Sequence, residues 1–152
     1  MQQYKRIIFV GRSGTLRAPM AVGIIKDSFL MEGIEVIARG LVVAFPEPMN
    51  QKAEAVLISN GIDMSGFASA QLSEKDVNED TLILTMETAH RDRLLRMFPQ
   101  IEANRVFVLT EFVGDELEII DPYGGSLAAY GLCYESMKKT LKKLVKILNE
   151  GE

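Results

Sequence analysis

A short segment near the start of the chain, GRSGTLR at residues 11–17, has the residue types of an anion-binding loop. It follows the apolar run RIIFV at 6–10 and precedes a helical pattern. Glycines at 11 and 14 let the backbone curl so that successive N–H groups point inward, and a helix N-terminus adds partial positive charge. Arg17 can bind two oxygens of one phosphate through its planar guanidinium group. Small residues before a helix are also typical of a simple tight turn, so spacing alone leaves both interpretations open.

A second candidate group lies far along the chain, in the sequence IIDPYGGS at 119–126. Pro122 biases Asp121 toward an extended conformation, which keeps the carboxyl group out of a helix. A lone Asp-Pro pair usually marks a turn, but here an aromatic residue, two glycines and the last helical pattern follow. We expect this loop to return to the edge of the sheet that carries residues 11–17, with Tyr123 as a possible pocket wall.

The elements that must position these loops alternate between strand and helix along the chain. Short apolar or β-branched runs predict strands at 6–10, 34–43, 81–86 and from 105. Helical patterns occupy 18–33, 47–61, 87–99 and the stretch after residue 125. This alternation predicts one α/β domain over 1–152, with a four-stranded parallel sheet and about five helices on both of its faces. A ligand is then expected beyond the carboxyl ends of the strands, at the topological switch point, where residues 11–17 lie.

Composition excludes several classes of function. The 152 residues are 47% hydrophobic and 25% charged, with a formal net charge of −4, so no global field favours nucleic acid or an anionic membrane. No apolar run approaches a membrane span and no signal peptide is recognisable, which indicates a cytoplasmic protein. A single cysteine excludes a disulfide framework and a cysteine-based metal cluster, and no metal or cofactor is expected.

Two side chains of reactive types, Cys133 and His90, lie outside these loops, and we expect both to have structural roles. Cys133 lies in the last helical pattern and is expected to pack against the sheet. His90, the one histidine of the chain, is expected to be a surface residue of the third helix.

The segments FVGRSGTLRAPMA at 9–21 and DPYGGS at 121–126, with the strand and helix order between them, resemble the low-molecular-weight protein tyrosine phosphatases. The similarity covers nearly the whole chain and is greatest to the bacterial branch that includes protein arginine phosphatases. It implies the phosphotyrosine phosphatase I-like fold, three layers around a four-stranded parallel sheet. It also implies a phosphate loop made of Arg12, Ser13, Gly14, Thr15, Leu16 and Arg17.

The resemblance assigns roles to three positions. In the family a cysteine thiolate at the start of the loop attacks phosphorus, the loop arginine holds the phosphoryl oxygens, and the aspartate of the Asp-Pro loop protonates the leaving group. Arg17 and Asp121 match the last two roles. Gly11 occupies the nucleophile position, which leaves it without a thiolate and excludes a covalent phosphoenzyme intermediate at this position.

Further departures accompany the missing thiolate. The residue after the loop arginine is Ala18 instead of a serine, and the bracing asparagine of the loop is Gly14. Ala38 and Phe67 stand where the family has a serine and a histidine of the bracing network. Thr15 matches the position where arginine phosphatases favour threonine. Arg12 and Arg39 could add guanidinium groups to the pocket or could simply be exposed.

Three functions follow as hypotheses. The first is a pseudophosphatase that binds phosphate, another oxyanion or a phosphorylated protein without hydrolysing it. The second is a weakly active tyrosine or arginine phosphatase that uses Asp121 with water or Thr15. The third is a partner-binding scaffold whose loop holds no ligand. The oligomeric state does not follow from the sequence.

Overall fold

The computed structural model describes residues 4–29 and 31–150, and its centre is a sheet of four parallel strands. The strands are β1 (Arg6–Gly11), β2 (Glu35–Gly40), β3 (Thr81–Thr85) and β4 (Val106–Val108). Their spatial order is β2-β1-β3-β4, so the chain leaves β1 toward one side of the sheet and later returns to the other. The carboxyl end of β1 is therefore the topological switch point, and the predicted fold class is confirmed.

Five α-helices cover the sheet within the described ranges: α1 (Arg17–Ser28), α2 (Gln51–Ser59), α3 (Thr88–Met97), α4 (Leu109–Val113) and α5 (Leu127–Glu150). α1 packs on β1, β2 and α5, whereas α3 packs on β3 and β4. None of these helices combines the length and apolar character needed to cross a membrane.

The core divides into two layers because alternate residues of β1 point to opposite faces of the sheet. Ile7 and Phe9 pack in the layer that contains Met137 of α5. Ile8 and Val10 pack in the layer that contains Leu94 of α3. β1 is thus buried on both faces, which explains its continuous apolar sequence.

Tertiary contacts shorten two predicted elements at the site. β2 ends at Gly40 because the N–H groups of the next two residues, Leu41 and Val42, turn to bond loop carbonyls after β1. α2 begins at Gln51 because the Asn50 side chain accepts hydrogen bonds from the N–H groups of Lys52 and Ala53, at 3.0 and 3.1 Å. Both changes place the 41–50 segment beside residues 11–17.

Candidate anion-binding site

The backbone of residues 11–17 is held from outside by the segment that follows β2. Three loop carbonyl oxygens accept hydrogen bonds from it: Gly11 from Leu41, Arg12 from Leu41 and Val42, and Thr15 from Asn50, all at 2.8–3.1 Å. Within the described residues, the N–H groups of residues 13–18 have no acceptor. With the carbonyls occupied on the outside, these N–H groups remain available to an anion at the start of α1.

Two glycines let the loop lie directly against the end of β2. Gly14 has φ +71°, and a Cβ atom on it would stand 2.9 Å from the backbone nitrogen of Gly40. A Cβ atom on Gly40 would stand 2.6 Å from the carbonyl carbon of Ser13. Neither position has room for a side chain, so the curled path of the loop depends on both.

Gly11 differs from these two glycines because nothing in its surroundings requires a glycine. It lies in β1, its φ is not positive, and a Cβ atom would meet Ala18 Cβ and Gly14 N at an ordinary 3.9 Å. The backbone therefore has room for a Cβ atom here. The absence of a side chain at Gly11 therefore changes the chemistry of the loop and is not needed for its shape.

Arg17 is almost completely buried, at 6% exposure, and its guanidinium group is held on two sides. Nη1 donates to the carbonyl of Ile119 at 2.8 Å, and Nη2 donates to Glu87 Oε2 at 2.5 Å. Asp121 Oδ2 lies 3.7 Å from Nη2. The structure thus brings together Arg17 and Asp121, which the sequence predicted as neighbours. It also shows a further partner of Arg17, Glu87, which the sequence did not predict.

Glu87 reaches the loop because β3 is the neighbour of β1. The N–H group of Met86 donates to the carbonyl of Val10 at 3.2 Å, and the Thr85 hydroxyl donates to the carbonyl of Glu87 at 3.0 Å. Glu87 then precedes α3. The sequence did not predict Glu87 as a site residue, although residues that directly follow a buried parallel strand often line the binding site.

A cavity of about 720 Å³ opens over the loop. Its walls include the segment 11–18 together with Val42, Glu47, Glu87, His90, Asp121 and Tyr123. Tyr123 is largely exposed, so its ring stands at the cavity mouth. All the predicted loop residues and both predicted residues of the 119–126 loop therefore surround one space.

Arg39 lies outside this cavity, contrary to the expectation that it could form a wall. Its Nε and Nη2 atoms donate to the two carboxylate oxygens of Asp76 at 3.2 and 3.3 Å, and Nη1 donates to the carbonyl of Ala38 at 2.8 Å. Arg39 lies within β2, so its direction is set by strand alternation. It braces the turn at Glu74–Asp76.

Arg39→Gln is expected to lower the free energy of unfolding by about 1–2 kcal/mol, because it removes charge-assisted hydrogen bonds from a partly buried carboxylate. It should leave the affinity for sulfate or phosphate within about two-fold of wild type, since distant sites behave independently. Urea unfolding and isothermal titration measure the two quantities. A large loss of anion affinity would show that Arg39 does contribute to the site.

His90 is buried, at 9% exposure, whereas the sequence predicted a surface position. It occupies the first turn of α3 and lines the cavity. Its Nδ1 atom is buried without a hydrogen-bond partner among the described residues. Burial lowers the pKa of His90, and Arg17 lowers it further, while Glu87, Asp121 and Glu118 oppose these effects. The net effect favours the neutral form of the imidazole.

Cys133 is buried in the core, at 6% exposure, as predicted. Burial raises the pKa of this thiol to about 11, against a lowering effect of Arg17. A thiol with that pKa is protonated at neutral pH and is a poor nucleophile.

Alkylation tests this prediction. In the native protein, iodoacetamide is expected to modify Cys133 at neutral pH on the order of 100-fold more slowly than in urea-unfolded protein, where the thiol regains its ordinary pKa and access. Mass spectrometry of timed samples gives both rates. Equal rates in native and unfolded protein would mean that Cys133 is accessible and reactive.

The hydroxyl groups of the loop are directed to each other. Ser13 Oγ and Thr15 Oγ1 are 2.8 Å apart. Ala18 and Ala38 are buried without polar side-chain atoms, and Phe67 packs against the core. The positions that the resemblance aligns with bracing polar groups of the family are thus occupied by backbone contacts and apolar packing.

The sequence of this chain is similar to those of known phosphatases. Residues 6–152 match the sequence model of the low molecular weight phosphotyrosine protein phosphatases. A protein-arginine-phosphatase of Geobacillus stearothermophilus is 30% identical over 144 residues, covering 94% of this chain and 95% of that protein. The low molecular weight protein-tyrosine-phosphatase PtpB of Staphylococcus haemolyticus is 32% identical over 139 residues, covering 91% and 96%.

A solved structure extends the comparison to three dimensions. It is a mutant of the YwlE arginine phosphatase with a phosphorylated active-site serine, and it superposes with a TM-score of 0.87 at 29% identity. The match covers 95% of this chain and 96% of that one.

Proposed function

Because the chain belongs to the low molecular weight phosphotyrosine protein phosphatase family, we propose that it is a pseudophosphatase. It binds phosphate, or a phosphorylated protein, in the loop at residues 11–17 and does not hydrolyse it. The observation that carries this proposal is Gly11, which has no side chain at the start of the loop although its backbone has room for one. We assign the vacant nucleophile position to Gly11.

The remaining parts of the site have proposed roles in binding. The free N–H groups of the loop bind oxyanion oxygens, with Arg12 at the entrance and Arg17 at the base. Asp121 holds the general-acid position, where its half-exposed carboxyl group faces the cavity. Tyr123 forms a wall against the group that carries the phosphate.

No described side chain takes the place of a thiolate. Cys133 is buried and protonated. The hydroxyl groups of Ser13 and Thr15 bond each other and have no imidazole or carboxylate among their hydrogen-bond partners. An alcohol without an adjacent base is a weak nucleophile, which favours binding over turnover.

Isothermal titration with sulfate and with phosphate tests the binding step. Wild type is expected to release heat on binding, and Arg17→Ala should weaken the affinity roughly 10- to 100-fold, because hydrogen bonds to charged groups contribute about 1.5–3 kcal/mol. Arg39→Gln is the matched control, since it removes a guanidinium group outside the cavity.

Two results would contradict a binding loop. One is the absence of binding by wild type at millimolar anion, which would favour the scaffold without a ligand. The other is equal affinity of wild type and Arg17→Ala while circular dichroism shows both to be folded.

A second candidate function is weak hydrolysis of a phosphotyrosine or phosphoarginine protein. It is favoured by Asp121, which keeps a carboxyl group at the cavity 3.7 Å from Arg17. Thr15 and the similarity to the arginine phosphatase of Geobacillus stearothermophilus favour phosphoarginine as the group to test first. The proposed setting is the cytoplasm, which cell fractionation tests.

A further inference from the structure

The charges around the cavity do not match a dianionic ligand. Two guanidinium groups, of Arg12 and Arg17, share the walls with the carboxylates of Glu47, Glu87 and Asp121. Carboxylates thus outnumber guanidinium groups before any anion enters. A sulfate or phosphate dianion in the same recess increases the imbalance, and like charges in a partly enclosed space repel strongly.

Arg17 cannot correct this imbalance by itself. Its Nη2 atom is already paired with Glu87 at 2.5 Å, and Asp121 lies 3.7 Å away. Arg12 is exposed to solvent, so water and salt screen its charge. One further positive charge close to the base of the loop would therefore add to the stabilisation of a dianion by the loop N–H groups.

His90 is the titratable group placed to supply it. The side chain lines the cavity and is more than nine-tenths buried, and its Nδ1 atom has no partner in the described structure. A buried nitrogen without a partner is costly in either protonation state unless a ligand supplies the missing partner. Protonation turns the imidazole into a cation with two N–H donors in the wall of the cavity.

From this arrangement we infer that His90 takes up a proton when an oxyanion binds in the loop, so that the site binds anion and proton together. This inference rests on the proposed binding function. It makes His90 a binding residue of the site, acting through its charge.

The groups that face His90 set the direction of the effect. Arg17 of α1 opposes the imidazolium, whereas Glu87 directly before α3 and both Glu118 and Asp121 of the loop before α5 favour it. Glu118 is held in place by the Thr88 N–H and hydroxyl groups, at 2.9 and 2.6 Å. A bound anion offsets the opposing charge of Arg17 and adds negative charge of its own.

The pKa of His90 is therefore higher in the complex than in the free protein. By linkage, the affinity for the anion rises as the pH falls below the pKa that His90 has in the complex. It stops rising once the pH is below the pKa that His90 has in the free protein. If anion binding raises the pKa of His90 by one pH unit, the affinity at low pH is about ten-fold higher than the affinity at high pH.

Sulfate titration across the range of about pH 5 to 8, where imidazole groups titrate, tests the inference. Sulfate does not titrate in this range, so every proton taken up is bound by the protein. Measuring the heat in two buffers of different ionisation enthalpy gives the number of protons. We expect uptake by wild type, an affinity that weakens about ten-fold or more as the pH rises, and neither effect in His90→Asn.

Because the chain has one histidine, its imidazole signals in proton NMR are unambiguous. They should report a higher pKa with sulfate than without it, and Arg39→Gln should behave as wild type. Binding without proton uptake, or equal uptake by wild type and His90→Asn, would overturn this inference and leave the binding function intact. No binding of sulfate at any pH would overturn both.

Discussion

Wild-type protein is expected to hydrolyse p-nitrophenyl phosphate at or near the rate of a protein-free control. Loss of the attacking group in an enzyme with covalent catalysis costs on the order of 10⁴-fold or more in rate. Gly11 provides no such group, and the backbone around it is ordinary β-strand, so the loop shape is not the cause. Phosphate release at saturating substrate measures the rate.

Gly11→Cys alone is expected to restore little activity, although the site has room for it. The new Cβ atom would contact Ala18 Cβ at 3.9 Å, where a hydroxyl group could stabilise a thiolate but a methyl group cannot. The free N–H groups of the loop and the helix dipole still favour the thiolate in part. Adding Ala18→Ser should therefore raise the rate above that of Gly11→Cys alone.

Two controls keep this test decisive. Asp121→Ala should lower whatever rate the double variant shows, because protonation of the leaving group contributes about 10²–10⁴-fold. In the double variant, Cys133, with its raised pKa, should react with iodoacetamide much more slowly than the cysteine introduced at position 11. Robust turnover by wild type that is lost in Asp121→Ala would show that another nucleophile serves this site and that the protein is an enzyme.

The second large effect is expected from adding one methyl group at the contact between the loop and β2. Gly40→Ala places a Cβ atom 2.6 Å from the Ser13 carbonyl carbon and oxygen, and Gly14→Ala combines a 2.9 Å contact with φ +71°. Backbone atoms cannot move aside as a flexible side chain can. Each variant should lose about 2–4 kcal/mol of unfolding free energy, from overpacking and from backbone strain at Gly14.

Anion affinity should fall in both variants, because the loop must leave its curled path to relieve the contact. Gly61→Ala is the matched control: it has φ +78° and open space around the Cβ position, so it should cost only about 1 kcal/mol and leave anion affinity unchanged. Urea unfolding and sulfate titration measure the two effects. If Gly40→Ala were no more destabilised than Gly61→Ala, the close contact between the loop and β2 would not exist in solution.

Local chemistry made much of the site predictable from the sequence. The apolar run before Gly11, the helix after Arg17 and the alternation of strands and helices place residues 11–17 at a carboxyl edge of a parallel sheet. The Asp-Pro step at Asp121 marks a loop that returns there. Each inference depends on residues that are close in sequence or on a general rule of parallel sheets.

The boundaries of the elements near the site were less predictable. The sequence favoured a strand through residue 43, but the chain turns after Gly40 because Leu41 and Val42 bond to the carbonyls of Gly11 and Arg12. Such outcomes depend on contacts between segments distant in sequence, which periodicity does not report.

The sequence by itself determined the fold, the curled loop before α1 and the absence of a nucleophile at Gly11, because these depend on residue type and short-range spacing. Only the tertiary structure decided that Glu87 pairs with Arg17, that His90 is a buried wall of the cavity and that Arg39 turns away to Asp76. These three outcomes follow from which strand lies beside β1 and which way each side chain leaves its element. Neighbouring strands and side-chain directions are set by packing of the whole chain, so no local pattern encodes them.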